Sequence, residues 1–142
     1  MKKYWLLLAI LAILAGALIS FLLIPKTTAP KDVSEKSELI RVFNPTVGQI
    51  VISPLAITGE ARGNWYFEAS FPVRILDANN KVLSAKPATA LRDWMTTNFV
   101  PFSVKLEFIA PATDTGFLVL AKDNPSGLPE HDDELRIPIR FR

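Results

Sequence analysis

No cysteine occurs anywhere in the chain, and histidine occurs once. The missing thiols exclude disulfide staples, thiol catalysis, zinc-thiolate sites, iron-sulfur ligation and anchoring through an acylated cysteine. The lone histidine, His131, stands between Glu130 and Asp132. One imidazole cannot build a multi-histidine metal site, and with no placed nucleophile it supports no catalytic triad. Glycine is sparse, and none of the six falls in a Gly-x-Ser-x-Gly turn or a phosphate-cradling loop. Runs of Lys and Arg interleaved with aromatics are also missing, so nucleic acid is not an expected partner. The formal charge of +2 is concentrated in Lys2, Lys3, Lys26, Lys31 and Lys36; from Glu38 to Arg142 there are 11 basic and 12 acidic residues. No cofactor, metal or small-molecule substrate is indicated.

What is present begins with Trp5 to Ile24, twenty residues without a charge, flanked by Lys2-Lys3 and Pro25-Lys26. At about 1.5 Å per residue a helix of this length covers the ~30 Å hydrocarbon core of a bilayer. A cleaved signal peptide has a shorter apolar stretch of roughly 7 to 15 residues, and the one candidate cleavage site, Thr27-Thr28-Ala29, is followed by Pro30. The pattern predicts a single-pass signal anchor in the cell membrane. Positive charge on both flanks leaves orientation open by charge alone; a four-residue tail before the first apolar segment favours a C-terminal part outside the cytoplasm. The expected organisation is a tail over 1–4, a transmembrane helix over 5–24, a flexible linker over 25–38 and one domain over 39–142.

Beyond the linker, apolar residues recur with period two, which places alternate side chains on one face of a strand. Phe102, Val104, Leu106 and Phe108 alternate with Ser103, Lys105 and Glu107, and Leu135, Ile137, Ile139 and Phe141 with Arg136, Pro138 and Arg140. Pro138 cannot donate to a ladder, so the last strand is expected at an edge or paired on one side there. Further strands are expected at Leu39 to Phe43, Gln49 to Ile52, Leu55 to Ala61, Phe67 to Asp77, Lys81 to Ala85 and Phe117 to Lys122. Asp77-Ala78-Asn79-Asn80 suits a hairpin, because Asn tolerates the left-handed conformation. Only Ala88 to Met95 has room for a helical turn. Eight short strands over roughly 100 residues predict an all-β, two-sheet antiparallel β-sandwich, with a small barrel as the alternative.

Particular residues narrow this. Asn44-Pro45, Gly48-Gln49-Ile50, Ser53-Pro54-Leu55, Ile57-Thr58-Gly59-Glu60-Ala61 and Phe67-Glu68-Ala69 resemble the immunoglobulin-like domain of bacterial spore germination, a GerM-associated domain family. Pro101-Phe102, Phe108, Gly116 and Leu135 to Ile139 fit the same pattern, so the resemblance runs essentially from Val42 to Phe141. It implies an immunoglobulin-like fold without known catalytic residues, serving as a binding or assembly module outside the cytoplasm. The partner implied is a protein or a cell-envelope component. Pro54 and Gly59 read as fold signatures, Gly59 suggesting a bulge or a close backbone approach.

Candidate partner-binding residues are Trp65, Tyr66 and Trp94, since Trp and Tyr offer large contact area at low entropic cost. The competing expectation for Trp65-Tyr66-Phe67 is a strand entering the core, with Trp65 and Phe67 buried and Tyr66 exposed. Asp123, Asn124, Ser126, Glu130, Asp132, Asp133 and Glu134 gather oxygen ligands of the kind calcium prefers, but their spacing fits no EF-hand, and a solvated acidic turn is the expectation. Glu60 and Glu68 are the one carboxylate pair that could face each other for acid/base work. An accessory subunit of a membrane complex is the alternative function, and an envelope-polymer hydrolase the third.

Overall fold

A computed structural model describes residues 31–142. The expected tail, transmembrane helix and first part of the linker lie outside the described residues; among the described residues no helix is long and apolar enough to cross a membrane. After a five-residue helix, α1 (Lys31–Glu35), come eight strands: β1 (Ile40–Asn44), β2 (Ile50–Val51), β3 (Leu55–Arg62), β4 (Ser70–Asp77), β5 (Val82–Ala90), β6 (Phe99–Leu106), β7 (Thr115–Ala121) and β8 (Glu134–Phe141). Every strand expected from the alternation is present. The segment with room for a helical turn, Ala88 to Met95, holds none: β5 continues through Ala90, where Ala88 is fully buried and β4 pairs as far as Thr89, and 3-10 turns form instead at Gly63–Trp65 and Pro129–His131.

The strands follow the order β1-β3-β6-β5-β4-β7-β8-β2. β5 lies along β4 for most of its length but meets β6 through only two residue pairs, Thr89 with Ser103 and Ala90 with Phe102. The sheet folds over at this narrow joint. β1-β3-β6 forms one layer and β5-β4-β7-β8-β2 the other, and the inward rows of both contribute to one hydrophobic core. In β3, Leu55, Ile57, Gly59 and Ala61 are buried while the residues between them are not; in β8 the buried row is Leu135, Ile137, Ile139 and Phe141. Across the layers, Phe71 of β4 meets Phe102 of β6 edge-on at 5.0 Å, and Phe108 meets Phe141 at 5.8 Å. Each such ring pair contributes about 0.5–1.5 kcal/mol beyond its buried area. β1 and β2 end the order without pairing to each other, so the sandwich is not a closed barrel. One pairing departs from the antiparallel expectation: β2 runs parallel to β8, Ile50 opposite Arg140 and Val51 opposite Phe141.

Gly59 is the site of a close backbone approach, while β3 keeps its register through it and the irregularity falls in β1. A Cβ there would lie 2.1 Å from the Arg41 carbonyl oxygen and 2.7 Å from Cζ of Phe102, and the β1 register shifts between Val42 and Asn44, directly opposite. The Asp77 turn is as the sequence suggests: the buried Asp77 carboxylate accepts from the N–H groups of Asn79 (2.8 Å) and Lys81 (2.9 Å), and Asn80 is left-handed at φ 62°.

The second half of the expected flexible linker is a correction. Residues 31–38 are folded onto the domain. Val33 packs against the core, Asp32 accepts the Arg136 backbone N–H at 2.9 Å, and Lys36 forms an ion pair with Asp133. The backbone N–H of Ile40 donates to the Lys36 carbonyl at 2.9 Å, joining α1 to β1. The physical reason lies on β8. Its outward N–H groups face no partner strand along most of its length, and Pro138 contributes none. Asp32 takes the Arg136 N–H, and the carbonyl of Gln49 takes that of Arg140 at 2.9 Å.

Candidate functional site

The register places the ends of β3, β5 and β7 beside the starts of β1, β4, β6 and β8: Arg62 faces Phe99, Ser70 faces Thr89 and Ala121 faces Glu134. Three loops therefore meet at one pole, residues 63–69, 91–98 and 122–133. All three aromatic candidates sit here, and so does α1.

The loops present those aromatics differently from the alternation. Gly63–Trp65 forms a 3-10 turn in place of strand, and successive side chains in such a turn do not alternate between two faces. Trp65 is buried as expected, but Tyr66 is also buried, at 4% exposure, and Phe67 is 40% exposed. Tyr66 and Phe67 are thus the reverse of the strand expectation. Tyr66 donates its hydroxyl to the Val100 carbonyl at 2.6 Å and packs edge-on to Phe71 at 5.1 Å. Burial holds its phenol well above the ordinary range. Gly63 permits the turn, since a Cβ there would lie 1.9 Å from the Thr96 carbonyl oxygen and 2.3 Å from that of Trp94. This contact also brings Trp94 to the site: half-buried, it meets Phe67 edge-on at 6.4 Å. Of the three candidates, Trp65 and Tyr66 have their side chains inside, and Trp94 is the one at the surface. The aromatic that sequence reasoning missed is Phe67, and the signal was Gly63-Asn64, which breaks the strand before it reaches Trp65.

Phe67 is held outward by a two-residue hairpin. Phe67 and Ser70 exchange backbone hydrogen bonds of 3.0 and 3.1 Å, and Glu68 and Ala69 between them are both left-handed, at φ 47° and 60°. This turn is ordinarily built from Asn and Gly, because the left-handed form costs other residues about 1–2 kcal/mol each.

The acidic loop resolves into internal bonds. Asn124 donates to the Leu128 carbonyl at 2.8 Å and to Asp132 at 2.7 Å, Ser126 donates to Asn124 at 2.5 Å, and Asp133 is matched by Lys36. Among the described residues no three metal-ligating side chains converge. A cleft of about 480 Å³ beside Lys36 and Arg74 contains opposed charges that compensate one another, Lys36 with Asp133 and Arg74 with Glu134 at 3.1 Å. Another, of about 290 Å³, lies between Phe67 and the acidic loop, lined also by Asn64, Asp123, Pro125 and His131. Glu60 and Glu68 are not brought together as an acid/base pair: Glu60 stands on β3 opposite Arg41 and Pro101 and pairs with Arg41 at 3.2 Å, whereas Glu68 is in the hairpin turn.

The profile of the family described as the immunoglobulin-like domain of bacterial spore germination matches residues 39–128. The match thus ends before β8, although β8 supplies four core residues. Neither a curated protein nor a solved structure matches the chain.

Proposed function

The chain belongs to the family of immunoglobulin-like domains of bacterial spore germination, and on that premise we propose that it is a membrane-anchored, non-catalytic binding module working outside the cytoplasm on a protein or cell-envelope partner. The observation that carries the binding reading is the Phe67–Trp94 pair on a loop pole of a rigid sandwich. Side chains on loops fixed by a packed scaffold are well placed for recognition. The anchor reading is supported by the uncharged run from Trp5 to Ile24. Fusing a reporter after Arg142 tests it: one active only in the exported compartment should work, and the protein should stay with membranes through alkaline extraction. A reporter active only in the cytoplasm, or release by alkali, refutes it.

A second reading, an accessory subunit of a membrane complex, draws on the docking of α1. With residues 31–38 folded onto the domain, only residues 25–30 separate it from the apolar run. At 3.3–3.6 Å per residue they reach at most about 20 Å, so span and domain would be closely coupled. Copurification that depends on the native span, and is lost when the span is replaced by an unrelated one, favours this reading.

A further inference from the structure

The loop pole combines an aromatic pair, exposed Phe67 and half-buried Trp94, with an unbalanced charge. Loops 63–69, 91–98 and 122–133 carry six acidic side chains against two basic ones, Arg92 and Lys122. The carboxylates of three of the acids, Glu68, Asp123 and Glu130, make no hydrogen bond or ion pair among the described residues, Asp123 bonding only through its backbone N–H to the Trp65 carbonyl at 3.0 Å. Glu68 directly follows Phe67 in the hairpin turn, Asp123 lines the 290 Å³ cleft beside that ring together with Lys122 and His131, and Glu130 directly precedes His131 in the chain. Met95, 76% exposed, follows Trp94 and extends the apolar area. The imbalance is smaller at the opposite pole, whose loops 45–49, 52–54, 78–81 and 107–114 carry two acidic side chains, Glu107 and Asp114, against Lys81.

These features select among occupants. Exposed Phe67 and Met95 with half-buried Trp94 at a pole close to a proposed anchor would suit a bilayer interface. An acidic rim, however, is repelled by anionic headgroups, which attract Lys and Arg. Lysine and arginine side chains satisfy both features at once: their charge is complementary to the unpaired carboxylates, their stems cover apolar surface, and their heads are attracted to the faces of Trp and Phe. We propose that the Phe67–Trp94 pair and the adjoining cleft are a docking surface for a lysine- or arginine-bearing polypeptide segment, with Glu68, Asp123 and Glu130 receiving its basic side chains. This deepens the binding-module reading and rests on it, but it is independent of the anchor.

The test uses the full chain in neutral detergent micelles and a fluorescent peptide of alternating Lys and Arg, followed by anisotropy at low and high salt. Phe67→Ser should weaken binding at least tenfold, as should Trp94→Ala. The triple variant Glu68→Gln, Asp123→Asn, Glu130→Gln should weaken it similarly and flatten its salt dependence. Glu107→Gln with Asp114→Asn, at the other pole, should change it less than twofold. Phe67 is surface-exposed, so Phe67→Ser decides the matter should Trp94→Ala fail to fold. Binding that ignores Phe67→Ser, or that falls equally with the opposite-pole variant, would mean diffuse attraction to acidic protein and overturn the proposal. Tighter binding to anionic vesicles than to the peptide would assign the surface to lipid. Self-association abolished by Phe67→Ser would assign it to a second copy. If the peptide does not bind while the chain still captures an envelope protein through other residues, this inference falls and the module reading stands.

Discussion

Replacing Gly59 with alanine should destabilise the domain through space alone. The position is not left-handed, and the obstacle is a Cβ placed 2.1 Å from the Arg41 carbonyl oxygen and 2.7 Å from Cζ of Phe102. A ring can swing, but the carbonyl belongs to the backbone of β1, already interrupted there by the shift between Val42 and Asn44. Relief requires β1 and β3 to separate by more than ~1 Å, at the upper end of the roughly 1–3 kcal/mol that overpacking costs. With melting shifts of about 4–8 °C per kcal/mol for a small domain, Gly59→Ala should lower the midpoint by roughly 10–20 °C. Thermal circular dichroism measures this directly. Gly48→Ala is the control, because Gly48 is left-handed at φ 73° with nothing within 4 Å of the added carbon, so it should lose only the ~1 kcal/mol of the backbone conformation. Adding Phe102→Leu to Gly59→Ala relieves the ring and not the carbonyl, and so should restore little. A midpoint for Gly59→Ala within 3 °C of the parent protein would refute the close-approach argument.

Three further outcomes are expected. Burial raises the Tyr66 pKa above its unfolded value, so its contribution is complete below about pH 10 and lost above it, at about 1.4 kcal/mol per pH unit; denaturant titrations should show this alkaline slope reduced in Tyr66→Phe, and an unchanged slope refutes it. Ala69→Gly relieves a left-handed alanine against the unfolded-state entropy of glycine, for a net gain of up to about 1 kcal/mol, whereas Ala69→Val should lose stability; equal melting midpoints for the two would contradict the turn geometry. Asp32→Ala leaves the Arg136 N–H without its acceptor and should cost about 1 kcal/mol, read as faster hydrogen exchange at Arg136 and protease cleavage within residues 31–36; unaltered protection there would show that the contact is not made.

Strand positions were legible in the sequence because a half-buried strand writes its burial as period two, and Leu135 to Phe141 or Leu55 to Ala61 bury just those alternate residues. The Asp77 hairpin was legible from its Asn residues, and Gly59 from its place inside a strand. The candidate site was only half legible. Trp94 came to the surface, but Tyr66 and Phe67 exchanged roles, because a 3-10 turn at Gly63 replaces the two-sided geometry on which alternation depends. The cleft could not be read at all, since it is bounded by Phe67 and by Asp123 to His131, segments joined by the sheet register and not by the chain. The docking of residues 31–38 was missed because its apolar content is a single side chain, Val33, with Asp32 and Lys36 finding their partners on and beside β8.

That docking changes where the domain should be cut. The family match begins at residue 39, and a fragment designed to that boundary would discard Asp32, Val33 and Lys36 together. It would leave Asp133 without its counter-charge, uncover core that Val33 protects, and free the Arg136 N–H on an open strand. Bare strand margins of this kind recruit other chains into sheets. A fragment starting at residue 39 is therefore expected to be the more aggregation-prone one, and a start at residue 31 or earlier keeps the fold's own guard against polymerisation.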